Sequence, residues 1–295
     1  MITVNIIGGL GNQMFQYAFG YAVSKENKTL LKLDISGFNA YKLRKYELNL
    51  FRIDQNVQIK FKNGSLLSKV NSKENTFFDK AYSKSLRFLL KFTDFYFEEK
   101  KEFFFEKQVF DRKTDTYYYG YWQNEKYFKK YRDDILRIFC WKKIHHDAEK
   151  YKQKIINSES VSIHIRRGDY VTNINTNYIH GTCGINYYKK ATIEIKKIKK
   201  NVKFFIFSDD MDWAKDNLNF LDNKVFVELG KAIPDHEEMY LMSQCKHNII
   251  ANSSFSWWGA WLNQNLAKKV IAPKIWFNNS KLNTDDLIPR SWLQL

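Results

Sequence analysis

From residue 161 to residue 272, short apolar runs alternate with amphipathic stretches at spacings that leave the chain few ways to fold. The runs read as strands over 161–166, 203–207, 224–228, 248–251 and 269–272, and the stretches between them as helices near 187–199 and over 211–218, 235–244 and 255–266. Parallel strands need long, usually helical crossovers, and the spacing supplies them, so the pattern predicts a Rossmann-like parallel sheet. A second instance opens the chain: a strand over 3–7, a glycine loop (Gly8, Gly9, Leu10, Gly11), a helix from 12 to about 25 and a strand over 29–35. On that helix Met14, Ala18 and Ala22, with Phe15, Phe19 and Val23, form the side to be buried. The expected fold class is α/β, with two Rossmann-like domains facing a cleft.

At 295 residues the chain suits two domains of roughly 150 residues, 1–150 and 151–295, with a polar hinge over 142–160 and the C-terminal tail able to return to the first domain. The 54–115 segment, Lys-rich with aromatic clusters, assigns no elements. After it, Gly120, Tyr121, Trp122 and Gln123 form a loop leading into a helix that carries Ile135, Leu136 and Phe139. Its aromatic stripe is either core or a wall on which a sugar stacks.

Forty-eight Lys and Arg against 32 Asp and Glu leave a formal charge of +16, a bias toward nucleic acid, anionic membrane or phosphorylated ligands. Much of the excess lies in lysines such as Lys189, Lys190, Lys196, Lys197, Lys199 and Lys200, the pattern of a solvated helix face. Cys140, Cys183 and Cys245 are odd in number and widely spaced, so neither a disulfide framework nor a zinc site is indicated, and a reducing compartment fits. With no signal-peptide pattern and no apolar stretch approaching a membrane span, the expectation is a soluble cytoplasmic protein that meets the inner membrane at most peripherally.

The charged residues with most chemical meaning stand where strands end. Ser162, Ile163, His164 and Ile165 run directly into Arg166, Arg167, Gly168, Asp169 and Tyr170. Two guanidiniums fixed at a strand's carboxyl end can hold a diphosphate bidentately; the alternative is an Arg–Asp salt bridge that closes a turn. His164 shares a strand face with Arg166 and is either a ligand contact or a buried structural histidine. Ser208, Asp209 and Asp210 follow the strand 203–207, and Asn252, Ser253, Ser254, Phe255 and Ser256 follow the strand 248–251. Serines opening a helix offer hydroxyls and N–H groups to phosphate, although Ser254 alone reads as an N-cap, and Phe255 could stack on a base. Glu238, on the helix before the serine loop, is either a carboxylate that accepts from a purine or an exposed helix residue.

Four segments in order carry a resemblance: Gly8 through Ala18, Gly120 through Gln123, His164 through Val171 and Asn252 through Trp258 are similar to the motifs of the bacterial α-1,2-fucosyltransferases of glycosyltransferase family 11. The resemblance implies a GT-B-type fold and inverting, metal-independent transfer of L-fucose from GDP-β-L-fucose to the 2-hydroxyl of a galactoside. The product would belong to a surface glycan such as an O-antigen or lipopolysaccharide, with a galactose-terminated acceptor, either free or lipid-linked. By the same resemblance Arg166 binds the donor β-phosphate with Arg167 in support, Glu238 contacts the guanosine, and Asn12, with Gln13 beside it, reaches the donor from the first domain. His164, Ser208, Asp209, Asn252, Ser253, Ser254 and Phe255 complete the expected GDP-fucose contacts, and Trp122 and Gln123 fall to the acceptor. GDP leaves with negative charge, so fixed guanidiniums aimed at it replace a cation. Asp169 is the candidate base, or else a partner of Arg167 or Tyr170.

Two rivals have their own signals. A dinucleotide-dependent oxidoreductase would use Gly9 and Gly11 after a strand and Asp34 some twenty residues on, but Met14 occupies the third glycine position. A nucleic-acid-binding protein fits the charge, yet no recognised motif for it appears, and the organised arginines come with carboxylates.

Overall fold

The protein is described by a computed structural model over residues 1–39, 44–53, 57–59, 77–100, 103–112, 115–230, 233–278, 282 and 284–295. Of the 54–115 segment, 54–56, 60–76, 101–102 and 113–114 lie outside the described residues. Contacts divide the chain into two units, Met1–Lys142 with Thr284–Leu287, and Lys143–Asn283 with Ile288–Leu295.

The first unit contains β1 (Ile2–Asn5), α1 (Leu10–Glu26), β2 (Leu31–Asp34), β3 (Gln58–Ile59), α2 (Phe77–Leu90), β4 (Tyr96–Glu98), β5 (Thr116–Tyr119) and α3 (Arg132–Ile138). Its sheet runs β3-β2-β1-β5-β4 with every pairing parallel; Ile2 of β1 stands opposite Leu31 on one side and Thr116 on the other. Met14, Phe15, Ala18, Phe19, Ala22 and Val23 of α1 are fully buried, as their spacing predicts. Burial goes further round the helix than an apolar stripe requires, because the amides of Gln13 and Gln16 are spent on backbone. Gln16 accepts from Ile7 N at 3.0 Å and donates to Gly120 O at 3.0 Å, tying the loop after β1 to the loop after β5. The helix lies close on its sheet at Gly20, where a Cβ would stand 2.7 Å from a Val4 methyl and 2.8 Å from one of Leu31.

The second unit contains α4 (His146–Ile156), β6 (Ser160–Ile165), α5 (Gly168–Thr172), α6 (Ile174–His180), α7 (Ile185–Ile198), β7 (Lys203–Ser208), α8 (Met211–Asn217), β8 (Lys224–Phe226), α9 (His236–Gln244), β9 (His247–Ile249), α10 (Ser254–Trp261), β10 (Val270–Ala272) and β11 (Leu293–Gln294). The sheet order is β11-β10-β9-β6-β7-β8, again all parallel. Val161, Ile163 and Ile165 of β6 meet Tyr188, Ala191 and Ile195 of α7 and Phe204 and Ile206 of β7 in one buried cluster.

The alternation predicted from 161 onward is present, with departures both before and within it. The stretch expected as a hinge is largely α4, because Ala148 and Ile155 give an otherwise charged segment a buried side. The short helices α5 and α6 were not expected. Helix α10 stops at Trp261, five residues early, because Lys268 Nζ takes the carbonyls of Ala260 and Asn263, both at 2.7 Å, and ends the helical ladder.

Both sheets reverse direction beside a central strand. Successive strands go one way from β6 to β7 and β8 and the other way from β9 to β10 and β11; in the first sheet β1 leads to β2 and β3 on one side while β5 lies on the other. Ligands of open α/β sheets bind outside the carboxyl ends of strands at such switch points. The Arg166 loop and the Ser253 loop flank one switch point, and the Gly8–Asn12 and Gly120–Gln123 loops flank the other.

Candidate active site

Every residue of β6 is buried, so the strand presents Arg166 and Arg167 from a rigid base. Both arginines are already paired. Arg166 reaches Asp209 Oδ2 from Nη1 at 2.9 Å and Asp169 Oδ1 from Nη2 at 2.5 Å, with its guanidinium 5.3 Å from the centre of the Tyr170 ring. Arg167 donates from Nε to Asp210 Oδ2 at 2.9 Å and from its backbone N to Asp209 Oδ1 at 2.7 Å, and it stacks 4.3 Å from the Trp213 ring. Of the two alternatives left open by the sequence, the salt bridge is therefore formed, but it is formed at the switch point. It orients both guanidiniums without using all their N–H groups. Of the Arg166 partners, Asp169 is the more exposed, its side chain 42% accessible against 27% for Asp209.

Gly168 belongs to this arrangement. A Cβ there would stand 2.6 Å from Asp209 Oδ2, so only glycine lets the carboxylate close on the loop. Ser208 Oγ accepts from Asp210 N at 3.0 Å, and Asp210 Oδ1 in turn accepts from Trp213 N at 3.2 Å and caps α8. Ser208, Asp209 and Asp210 thus hold the arginines in place.

His164 is buried and its ring centre lies 5.8 Å from that of Phe255. Desolvation, with the nearby Arg166 charge, pushes its pKa down to about 3, so the imidazole is neutral. Its Nδ1 has no hydrogen-bond partner among the described residues. Glu238 is half-buried on α9; burial, then the charges of Asp235 and Asp209, push its pKa up to about 8. Asp209, the partner of Arg166, is thus one of the charges felt at Glu238.

On the other side of the switch point Ser253, rather than Ser254, is the N-cap of α10, accepting from Phe255 N at 3.3 Å. Ser254 and Phe255 are half-buried at the helix start. Asn252 departs from the expected donor contact. It is 2% exposed, its Nδ2 donates to His180 O, Gly181 O and Trp276 O, and its Oδ1 accepts from Cys183 Sγ, so the side chain is a structural latch.

In the first unit Gly8 adopts φ +80°, and a Cβ there would lie 2.7 Å from Asn12 Nδ2. Asn12 Oδ1 accepts from Gln123 Nε2 at 2.8 Å, which joins the two loops of that switch point. Trp122 sits in the left-handed region at φ +56°, held by Glu99 Oε2, which accepts from Tyr121 N at 2.7 Å and Trp122 N at 3.1 Å. Two expectations are corrected here. Trp122 is fully buried and stacked on Phe19 at 4.0 Å, so its stripe is core and not an acceptor wall. Gln13 is fully buried with its amide saturated by Gly8 O, Lys45 O and Glu47 N, so it shapes the loop rather than touching a donor.

Asp34, which a dinucleotide site would need on a ribose, is also consumed internally. Its oxygens accept from Ser36 N, Ser36 Oγ and Tyr117 OH at 2.9, 2.6 and 2.6 Å. Sequence reasoning missed Trp213, Glu99 and the stack of His180 on Tyr170 at 4.7 Å. Only Trp213 left a signal, lying three residues after the helix cap Asp210.

The motif loops of each unit therefore meet at its own switch point, and comparison with known proteins bears on what such an arrangement belongs to. The family model described as Glycosyl transferase family 11 matches residues 1–295. The chain is 37% identical to an alpha-1,2-colitosyltransferase of Escherichia coli, covering 100% of this chain and 99% of that protein. It is 36% identical to the O-antigen biosynthesis glycosyltransferase WbnK of Escherichia coli, covering 98% of each. Among solved structures, the fucosyltransferase NodZ from Bradyrhizobium superposes with a TM-score of 0.51 at 12% identity, over 88% of this chain and 92% of that one, a likeness of GT-B-type fold. With the family's model running from the first residue to the last and close relatives matched along their whole length, the chain belongs to glycosyltransferase family 11.

Proposed function

We propose that this glycosyltransferase moves L-fucose from GDP-β-L-fucose to the 2-hydroxyl of a galactoside, with inversion and without a metal. The observation that carries the reading is the arginine loop: two guanidiniums pre-oriented by carboxylates at the point where a doubly wound sheet receives a nucleotide. Glu238 supports GDP in particular, since an ionised carboxylate there would accept from both the ring N–H and the amine of guanine.

In the reaction the bond from the anomeric carbon to the β-phosphate breaks, the acceptor oxygen bonds to that carbon from the opposite face, and the hydroxyl proton departs. The negative charge that collects on GDP meets Arg166 and Arg167, whose positions need no reorganisation. Asp169, the more exposed partner of Arg166, is the one a phosphate oxygen displaces. Once displaced, it is the carboxylate in this loop able to take the acceptor proton. Asn12 is a donor contact on this reading, and Gln123, which orients it, is a positioning residue. The acceptor is a galactose-terminated surface glycan, in keeping with the O-antigen role in the name of one relative.

A second reading, GDP-colitose as donor, is favoured by the 37% identity to an alpha-1,2-colitosyltransferase. The two sugars differ by one hydroxyl, at C3. Incubating the protein with each GDP-sugar and a panel of β-galactosides, then reading linkage and anomer by NMR, separates them. The proposal expects α-1,2-fucosyl product as the faster outcome, and transfer from GDP-colitose alone would replace it with the second reading.

A further inference from the structure

The end of α2 and the turn after it present apolar side chains to solvent, away from the catalytic loops in sequence and in role. Phe88, Leu89, Phe92 and Phe95 keep 61%, 63%, 78% and 41% of their surface exposed. Leu86 and Leu90 on the same helix pack with Tyr96 and Tyr117 and hold it to the sheet. The Phe88 and Phe92 rings meet edge to face at 5.4 Å, so they form a continuous apolar ridge. A single exposed apolar residue needs no explanation, but four within eight residues mark an interaction surface.

The same segment is basic. Between residues 80 and 95 stand Lys80, Lys84, Arg87 and Lys91 against one acid, Asp94, which lies 3.7 Å from Arg112. Arg87 is turned inward, donating to Tyr119 OH at 2.7 Å, whereas Lys84 and Lys91 are exposed beside the apolar side chains, Lys91 lying 3.2 Å from Glu98. No helix among the described residues is long and apolar enough to cross a membrane, so any contact of this ridge with lipid is peripheral.

We propose that this face docks onto an anionic phospholipid surface, with Phe88, Leu89, Phe92 and Phe95 entering the boundary between headgroups and acyl chains and Lys84 and Lys91 facing lipid phosphates. Charge selects this occupant over a second copy of the chain. A two-fold contact through the ridge would set the lysines of one copy against those of the other, whereas an anionic bilayer complements them. The inference does not depend on which sugar is transferred, and a membrane-borne acceptor would give it a use.

The test needs neither donor nor acceptor, so its failure is separate from failure of the proposed reaction. The 295-residue protein, its Phe88→Ser/Phe92→Ser variant and its Lys84→Gln variant are sedimented with phosphatidylcholine vesicles, with and without phosphatidylglycerol, at low and high salt. The protein is expected to sediment with the phosphatidylglycerol vesicles at low salt and to be released by high salt. The phenylalanine variant should lose at least about tenfold in partitioning and Lys84→Gln about fivefold. All three should melt together, because the altered side chains are exposed. Three results would overturn the proposal: protein left in the supernatant, undiminished binding by the phenylalanine variant, or equal binding to vesicles lacking phosphatidylglycerol. Sedimentation velocity adds a fourth, a dimer abolished by the phenylalanine changes in a protein that ignores vesicles.

Discussion

Burial and the charges of Asp235 and Asp209 keep the Glu238 carboxyl protonated up to about pH 8, and in that form it cannot accept two hydrogen bonds from guanine. GDP binding should therefore expel a proton: affinity rises from about pH 6 to about pH 8, and calorimetry in buffers of different ionisation enthalpy reports the release. Glu238→Gln should bind GDP more weakly and flatten that rise. Stability of the ligand-free protein moves the other way. The folded pKa lies above the ordinary carboxylate value, so between the two the folded state holds the proton and the unfolded state does not. Glu238 thus costs stability progressively as pH rises through that window. Asp169 makes a sharper prediction, because a phosphate that takes its place on Arg166 has to displace it. Asp169→Asn should bind GDP at least as tightly as the parent, by titration, while turnover falls by about 10² or more. Loss of GDP binding in that variant would make Asp169 a holder of the loop and remove it from the chemistry.

At the scale of elements, the first sheet depends on close contact between α1 and β1. Gly20→Ala would drive a methyl to within 2.8 Å of Val4 and Leu31, and overpacking of this kind costs about 1–3 kcal/mol, read as a lower midpoint in urea with the slope unchanged. A variant as stable as the parent would show that the helix can lift off its strand. The loops at the switch points are held in another way. Gly8 and Trp122 both adopt positive φ, and Asn12 and Gln123 between them make the 2.8 Å hydrogen bond that joins their loops. Gln123→Ala should leave melting temperature within a degree or two while raising KM for the donor more than it lowers kcat, since it acts through Asn12. Equal loss of kcat and of melting temperature would instead mark it as part of the scaffold.

Across the molecule, what the sequence disclosed followed from periodicity and order. The strands from β6 to β10 and the buried side of α1 were legible because apolar spacing reports burial directly, and the arginine loop because charge ends an apolar run abruptly. Spacing said nothing of side chains whose partners lie far along the chain. Gln13 and Asn252 looked like ligand groups, being polar residues within motifs; instead the Gln13 amide is held by Lys45 O, 32 residues away, and the Asn252 amide by His180 O, 72 residues away. Trp122 looked like a sugar platform and is core, since Phe19 stacks on it from a helix a hundred residues earlier. The α5–α6 pair escaped because its turns are too short to show a period. The central claim is that Arg166, oriented by Asp209 and released by Asp169 to the phosphate, stabilises the charge on departing GDP. Single-turnover transfer by Arg166→Ala at saturating donor tests it most directly: the rate should fall by about 10²–10³, and a variant that keeps a tenth of the parent rate would contradict it.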